Sequence, residues 1–365
     1  MKIEEEVHYM PTIDDVARLS GVSMMTVSRV MNGSGVVADA TREKVILAAE
    51  QLGYQPNLLA RSLKTSRTNT IGIMLTHIEN PIYNLFTSAI VSEAEKIDYD
   101  VILSSANDME SALHALRTLM AKRIDGLIVL PVEFGGPIKT LQDVMINKRL
   151  VESFYEKLEV VVEGFGQKDF PLVVLGKNDV LPNCSHVDID YRASGRIAVD
   201  YLYQQNHRDI GYIRHSVGNI SLWGQRHQGF IDGMLEYGLD IVESWSVDSL
   251  DTAESGYQAF LRMMESNKTM PTAVACANDY MAAGAVQAAI SKGLRVPEDI
   301  SILGNDGSLV CNVVVPRLST VSIQPYLAGT ACMRLLWDGI KDTGAGEKVV
   351  VTPKITEGES VMRRL

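Results

Sequence analysis

The sequence has little of what marks an enzyme, a membrane protein or a secreted disulfide scaffold. Only four of its 365 residues are cysteine: Cys184, Cys276, Cys311 and Cys332. They show no CxxC spacing and no histidine at zinc-site intervals, which excludes a disulfide framework or structural metal and predicts buried free thiols in a reducing cytoplasm. No run of about 18 apolar residues occurs, so no membrane span is expected. The opening stretch MKIEEEVHYM has three consecutive glutamates and no apolar core, so no secretory leader is expected either. There is no GxGxxG after a strand, no P-loop, no GxSxG and no HExxH, and the seven histidines are scattered. Catalysis is therefore not expected. Basic residues are scarce too, 34 against 45 acidic for a net charge of −11, which at first speaks against phosphate-rich partners.

The position of those charges changes that reading. Residues 1–68 hold 8 basic and 8 acidic residues, so the whole acidic excess lies in residues 69–365. Beyond Glu4, Glu5 and Glu6, the amino-terminal part has 7 basic residues (Arg18, Arg29, Arg42, Lys44, Arg61, Lys64, Arg67) against 5 acidic ones. An acidic core would repel DNA and leave contact to this part. Its modest positive charge predicts weak binding by one copy and affinity that depends on pairing.

Residues 11–68 read as short helices between polar turns. Thr12 followed by Asp15 is an N-cap with an acid at the third helical position, opening a helix over 13–19. Ser20-Gly21-Val22 breaks it, Ser23 caps a second helix to about Met31, and Asn32-Gly33-Ser34-Gly35 ends that one. A third helix is expected from about Asp39 to Leu52, with Val45, Ala48, Ala49 and Leu52 on one face and Gly53 as its stop. From Thr70 the pattern changes to short apolar runs alternating with helical stretches. The runs are TIGIML (70–75), DVILSS (100–105), GLIVL (126–130) and PLVVLG (171–176), then HVDID (186–190), DIGYI (209–213), TAVACAND (272–279) and ISILGND (300–306). Apolar strands separated by helices predict parallel sheets covered on both faces, here two doubly wound lobes with a cleft between them. The 39 residues between Leu130 and Phe170 exceed a single connection. Leu141, Val144, Met145, Val151, Phe154 and Leu158 recur there at helical intervals, which predicts about two helices. A lid, a dimer contact and a solvent-facing decoration all remain open for them.

The string TIDDVARLSGVSMMTVSRVMN (12–32) meets the demands of a helix-turn-helix. Ala17 is the small residue where the helices cross, Gly21 makes the turn, and Val16, Val22, Val27 and Val30 lock the second helix onto the first. Met24, Met25, Thr26, Ser28, Arg29 and Asn32 stay outside this lock and are free to enter a DNA groove.

This segment resembles the DNA-binding headpiece of the LacI/GalR family of bacterial transcription repressors. The similarity continues through TREKV (41–45), LGYQPN (52–57) and ARSLKTSRTNTIGIML (60–75). It extends to KRIDGLIVL (122–130), PTAVACANDYMAAGA (271–285), GLRVPEDISILGND (293–306) and LSTVSIQP (318–325). The resemblance implies an all-α headpiece over 11–55, a hinge helix and linker over 56–68, and a periplasmic-binding-protein-like α/β core over 69–365. Within that core an N-lobe of about 69–187 and 322–350 and a C-lobe of about 188–319 and 351–365 are expected. Arg29 matches the position that reaches base edges, where a guanidinium can pair with guanine. Met24 and Met25 open the recognition helix and would sense base methyls or shape. Thr26, Ser28 and Asn32 suit phosphate contacts, and Thr12 and Ser23 suit either that role or capping alone. Tyr54, Asn57, Ala60 and Lys64 complete the expected DNA-binding set, with Leu63 matching a leucine that wedges into the minor groove.

In open parallel sheets, ligands bind beyond the carboxyl ends of strands. Asn80, Asn178, Asp179, Asn278 and Asp306 stand at such ends. Arg226 matches a family arginine that reaches the ligand, and with Asn278 and Asp306 it resembles the polar set of sugar-binding members. Asn278 also suits a helix cap. Trp223 or Tyr83 would stack on a sugar face. The effector-binding set is thus Asn80, Tyr83, Asp179, Trp223, Arg226, Asn278 and Asp306. Asp190 reads as a helix cap. The aspartate-asparagine pair usual at that point is Asp190-Tyr191 here, so no role carries over to Tyr191.

The expected function is that of a cytoplasmic, nucleoid-associated repressor that binds double-stranded operator DNA as a homodimer. A small effector, a carbohydrate, would control its affinity, and no cofactor, metal or membrane is expected. The chain ends TEGESVMRRL without a heptad tail, which favours a dimer over a tetramer. A transport-type sugar-binding protein would lack the headpiece, and a sugar-modifying enzyme would need a catalytic motif.

Overall fold

Strands buried on both faces need a helix-length connection after each strand to cover them, and that requirement shapes most of this chain. The computed structural model describes residues 11–31, 35–55, 67–76, 78, 81–132, 134, 141–165, 169–176, 181, 184–215, 222–266, 269–341 and 346–364, with backbone alone at 141–144 and 222–223. Two compact units meet in sequence at Thr68 and Asn69.

The first unit contains α1 (Ile13–Ser20), α2 (Met24–Met31) and α3 (Asp39–Leu52). Thr12 and Asp15 form a reciprocal capping box. The Asp15 amide donates to Thr12 Oγ1 at 3.4 Å, and the Thr12 amide donates to Asp15 Oδ2 at 2.9 Å. Gly21 closes α1 at φ 71°, a left-handed conformation that costs glycine little, and its amide donates to the Ala17 carbonyl. Val16, Val27 and Val45 are fully buried among Ala17, Val30, Ala48 and Ala49, while Val22 packs half-buried at the edge.

The second unit contains two six-stranded sheets. The N-lobe sheet is ordered β11-β5-β4-β3-β1-β2, from β1 (Thr70–Leu75), β2 (Asp100–Ser105), β3 (Gly126–Val129), β4 (Leu172–Leu175), β5 (Ser185–Ile189) and β11 (Lys348–Val351). All its pairings are parallel, with Ile71 opposite Val101 on one side and Gly126 on the other. Its helices are α4 (Pro81–Glu95), α5 (Met109–Ala121), α6 (Leu141–Gly164) and α11 (Pro325–Ile340). The C-lobe sheet is ordered β12-β10-β9-β8-β6-β7, from β6 (Ile210–His215), β7 (Ser246–Ser249), β8 (Ala273–Cys276), β9 (Ser301–Asp306), β10 (Ser319–Ser322) and β12 (Lys354–Thr356). Only β10 and β12 pair antiparallel. α7 (Tyr191–Gln204), α8 (Leu222–Glu236), α9 (Ala253–Ser266) and α10 (Asp279–Ser291) flank this sheet.

One expectation is corrected. The segment read as about two helices forms the single 24-residue α6. No proline or glycine interrupts it before Gly164, so nothing in the chain breaks the turn-to-turn hydrogen bonding. Phe154, Tyr155, Leu158 and Val162 seat it on the N-lobe core, where Phe134 tilts against Phe154. The four cysteines are buried free thiols. Among the described residues no helix is long and apolar enough to cross a membrane. No group of three or more His, Cys, Asp or Glu among them is placed to hold a metal.

The chain passes between the lobes three times, at Asp190, at Ile323–Gln324 and at 352–353. These crossings are tied together. The Asp190 amide donates to the Val351 carbonyl at 3.2 Å, and Gln324 Nε2 donates to the Thr352 carbonyl at 2.5 Å.

Candidate functional site

In the headpiece, helical spacing separates the lock from the reading face. Val27 and Val30 turn inward, while Met24 and Met25 are 52% and 65% exposed, and Ser23 and Arg29 are exposed as well. Two bare methionine side chains thus stand side by side on the surface of a small domain. Thr26 and Ser28 are half-buried. Ser23 Oγ accepts from the Thr26 amide at 3.1 Å and lies 2.9 Å from Thr26 Oγ1, so it caps α2. Thr12 and Ser23 therefore both cap helices. Tyr54 is half-buried against the headpiece core, and desolvation raises the pKa of its phenol. Asn32, Asn57, Ala60, Leu63 and Lys64, and with them the hinge helix, lie outside the described residues.

In the core, sheet order gathers a row of polar side chains at one edge. The strands β7, β6, β8 and β9 are neighbours, and their parallel direction puts all their carboxyl ends on one edge. That edge carries Asp251 just past β7, His215 on β6, Asn278 just past β8 and Asp306 on β9. The expected trio of Arg226, Asn278 and Asp306 belongs to this row. Arg226, on α8, is 1% exposed; its Nη2 donates to Asp306 Oδ1 at 2.5 Å and its Nη1 to the Ala277 carbonyl at 2.5 Å. Desolvation pushes the Asp306 carboxyl up to about 7 against the pull of the Arg226 guanidinium, and buried Asp279 adds to the rise. Asp306 also adopts φ 122°, a strained backbone for a residue with a side chain, and such strain concentrates at ligand sites. Its carbonyl accepts from the Ile323 amide at 3.1 Å, which links the site to a lobe crossing.

Asn278 is 5% exposed and has both roles filled locally. Its Oδ1 accepts from the Met281 amide at 2.8 Å as the α10 cap, and its Nδ2 donates to Asp251 Oδ1 at 2.8 Å. His215 Nε2 lies 3.2 Å from Asp251 Oδ2. Neither His215 nor Asp251 was anticipated: β7 is only Ser-Val-Asp-Ser and shows no apolar run, and His215 lies two residues past the run DIGYI that marks β6. Their positions just at strand ends were the available cue. Asp190 caps α7, accepting from the Ala193 amide at 2.8 Å. Tyr83 departs from its expected use: its ring is buried edge-on to Phe86, with its hydroxyl 3.3 Å from the Pro131 carbonyl beyond β3, so no ring face lies open for stacking. Asn80, Asn178 and Asp179 and the side chain of Trp223 lie outside the described residues.

A helix-turn-helix unit joined in one chain to a two-lobed core with a polar, partly charged strand-end site defines a ligand-regulated DNA-binding protein. Comparison with known proteins carries the assignment further. Residues 12–57 match the family described as bacterial regulatory proteins, lacI family, and residues 199–361 match the periplasmic binding protein-like domain. The chain is 33% identical over 361 residues to the HTH-type transcriptional repressor PurR of Pasteurella multocida, covering 98% of this chain and 100% of that protein. Among solved structures, the Lac repressor dimer bound to operator and the anti-inducer ONPF matches with TM-score 0.77 at 25% identity, covering 97% of this chain and 100% of that one. The transcriptional regulator CelR–cellobiose complex matches with TM-score 0.64 at 27% identity, covering 96% and 99%. The chain belongs to the lacI family of bacterial regulatory proteins: it is a DNA-binding transcriptional repressor, not an enzyme, and its repression is controlled by a small ligand.

Proposed function

We propose that this repressor acts as a homodimer in the bacterial cytoplasm, on the nucleoid, where it binds a two-fold symmetric operator and releases or holds it according to a carbohydrate bound between the lobes. Met24, Met25 and Arg29 read base edges in the major groove, and Arg29 pairs with guanine. Ser23, Thr26, Ser28, Asn32 and Thr12 set register on phosphates, the two caps through their helix ends. Tyr54, Asn57, Ala60 and Lys64 extend the contact, and Leu63 wedges into the minor groove. On the effector side, Arg226, Asn278 and Asp306 face sugar hydroxyls, joined by Asn80 and Asp179, with Trp223 stacking on the ring.

One observation carries the effector reading: Arg226 from α8 and Asp306 from β9 form a buried charged pair, and Arg226 also bonds the carbonyl of Ala277, the residue before Asn278. A fixed array of donors and acceptors suits a neutral, hydroxyl-rich ligand, and a family relative of like fold is solved as a cellobiose complex. The test is thermal stabilisation of the full chain by a panel of neutral saccharides, sugar phosphates and nucleosides. A saccharide at 100 times its Kd should stabilise the protein by roughly 2.7 kcal/mol, and Asp306→Asn should abolish the gain. Stabilisation by nucleosides alone would remove the carbohydrate assignment. For the DNA side, Leu63→Ala should weaken operator binding in a gel shift while leaving saccharide affinity unchanged.

A further inference from the structure

The first turn of α7 follows directly on the crossing from the N-lobe at Asp190, and it closes around the effector-site arginine. Tyr191, its first residue, is buried within the N-lobe core cluster alongside Ile189, Ile323 and Cys332. The same ring lies under α8 of the C-lobe: the Arg226 guanidinium carbon is 5.0 Å from its centroid. One turn on, Ser194 and Asn305 exchange buried side-chain hydrogen bonds of 2.7–3.0 Å, anchoring α7 to the residue before Asp306. Gly195 comes next, and a Cβ there would sit 2.0 Å from the backbone carbonyl oxygen of Arg226 itself. No side chain fits between the helices at that point, so α7 fixes where α8 starts its inward turn.

We infer that Tyr191 is a positioning residue for effector binding: its ring, rooted in the N-lobe core, holds the Arg226 guanidinium over its face and so ties the geometry of the Arg226–Asp306 pair to the position of the N-lobe. A guanidinium over a desolvated aromatic face is attracted by the ring's quadrupole, an attraction that needs no hydroxyl. Two hydrogen bonds of Arg226, to Asp306 and to the Ala277 carbonyl, belong to the C-lobe. Tyr191 therefore gives this arginine a contact rooted in the other lobe, where a lobe rotation would be converted into a change at the ligand's charged contact. The inference takes the strand-end site to be the effector site, and its test requires no effector, so a failure of the carbohydrate assignment leaves it standing or falling on its own.

The test is a double-mutant cycle on the full chain, read by denaturant unfolding. Tyr191→Leu and Arg226→Met are compared with Tyr191→Leu/Arg226→Met, with Tyr191→Phe as the conservative rescue. A desolvated guanidinium–ring contact of about 2 kcal/mol predicts a coupling of roughly 30-fold in the unfolding equilibrium, and near wild-type behaviour for Tyr191→Phe. Additive effects, or a Tyr191→Phe variant as damaged as Tyr191→Leu, would overturn the proposal. Should Tyr191→Leu not fold, mono- and trifluorinated phenylalanine at the same position keep the shape and withdraw ring electrons. Stability must then fall stepwise with fluorination in the Arg226 background and stay flat with Met at 226; a flat series in both backgrounds refutes the contact. A second readout is the pH midpoint of unfolding set by Asp306, which faces Arg226, Asp279 and Asp251. Loosening the guanidinium in Tyr191→Leu should move that midpoint upward and Tyr191→Phe should not, whereas a ring serving only as packing would leave it in place.

Discussion

The headpiece keeps its candidate DNA-reading side chains outside and its interior apolar, whereas the C-lobe buries the charged pair of its candidate effector site. In the headpiece, Val16, Val27 and Val45 carry the packing and Met24, Met25 and Arg29 stand in solvent. In the C-lobe, Arg226 and Asp306 are enclosed, and their stability and their chemistry depend on each other. The charge follows the same division: residues 7–68 carry a small positive excess and the core carries the whole acidic surplus. A reading surface needs only a rigid scaffold beneath it, so it tolerates change. A buried recognition pair is part of the fold, so an alteration there disturbs stability and binding together.

The largest expected effect tests that coupling. Above pH 7, where the Asp306 carboxyl is ionised, Asp306→Asn leaves the Arg226 guanidinium without its countercharge in a dry site, and a guanidinium cannot shed its proton, so a loss of about 3–5 kcal/mol in denaturant unfolding is expected there and a smaller one at pH 5. Arg226→Met should cost less, because the Asp306 carboxyl left behind can hold a proton. Equal costs at all pH values would contradict the asymmetry.

The pH dependence sharpens it. Burial raises the Asp306 carboxyl to about 7 in the folded protein, well above its unfolded value. Its contribution to stability is therefore full below the unfolded pKa of about 4 and is lost as pH rises through 7, with a slope of at most roughly 1.4 kcal/mol per pH unit. Unfolding curves from pH 5 to 8 should show this slope in the wild type, and Asp306→Asn should lack it.

In the headpiece the two functions should separate. Val27→Ala removes two buried methyl groups from the lock and should cost about 2 kcal/mol in the headpiece transition. DNA binding should weaken while the core's melting and its response to saccharides stay unchanged; a fall in the core's melting would break the contrast between the regions. The smallest effect is expected at the α1 cap, where Thr12→Ala should destabilise the headpiece by about 1 kcal/mol. A calorimetric scan resolving two transitions checks both variants.

How much could be read in advance follows the same divide. α1, α2 and α3 were legible to within about a residue, because each has a periodic apolar face, α1 and α2 open on side-chain caps, and α1 and α3 stop at Gly21 and Gly53. Strands β1 through β6, β8 and β9 were legible as apolar runs. The strands β7, β10, β11 and β12 were missed because they are three or four residues long and largely polar or edge-placed. The long α6 was split in expectation because its face includes exposed apolar residues such as Met145, Ile146 and Val160, which blur a single stripe. Arg226, Asn278 and Asp306 were proposed through family likeness and strand-end position. His215, Asp251 and Tyr191 were not, since their partners lie between 27 and 36 residues away and only sheet order or helix crossing brings them together.

By itself the sequence determined the helix-turn-helix, the partition of charge and the class of the core, since local hydrogen bonding and hydrophobic periodicity act over one or two turns or a single strand. The tertiary structure decided the candidate effector site. Parallel pairing aligned the carboxyl ends of β7, β6, β8 and β9, and the close crossing of α7 and α8 at Gly195 carried Arg226 from one lobe to the ring of Tyr191 rooted in the other. Those contacts join residues distant in the chain, and their energy exists only once the lobes have packed.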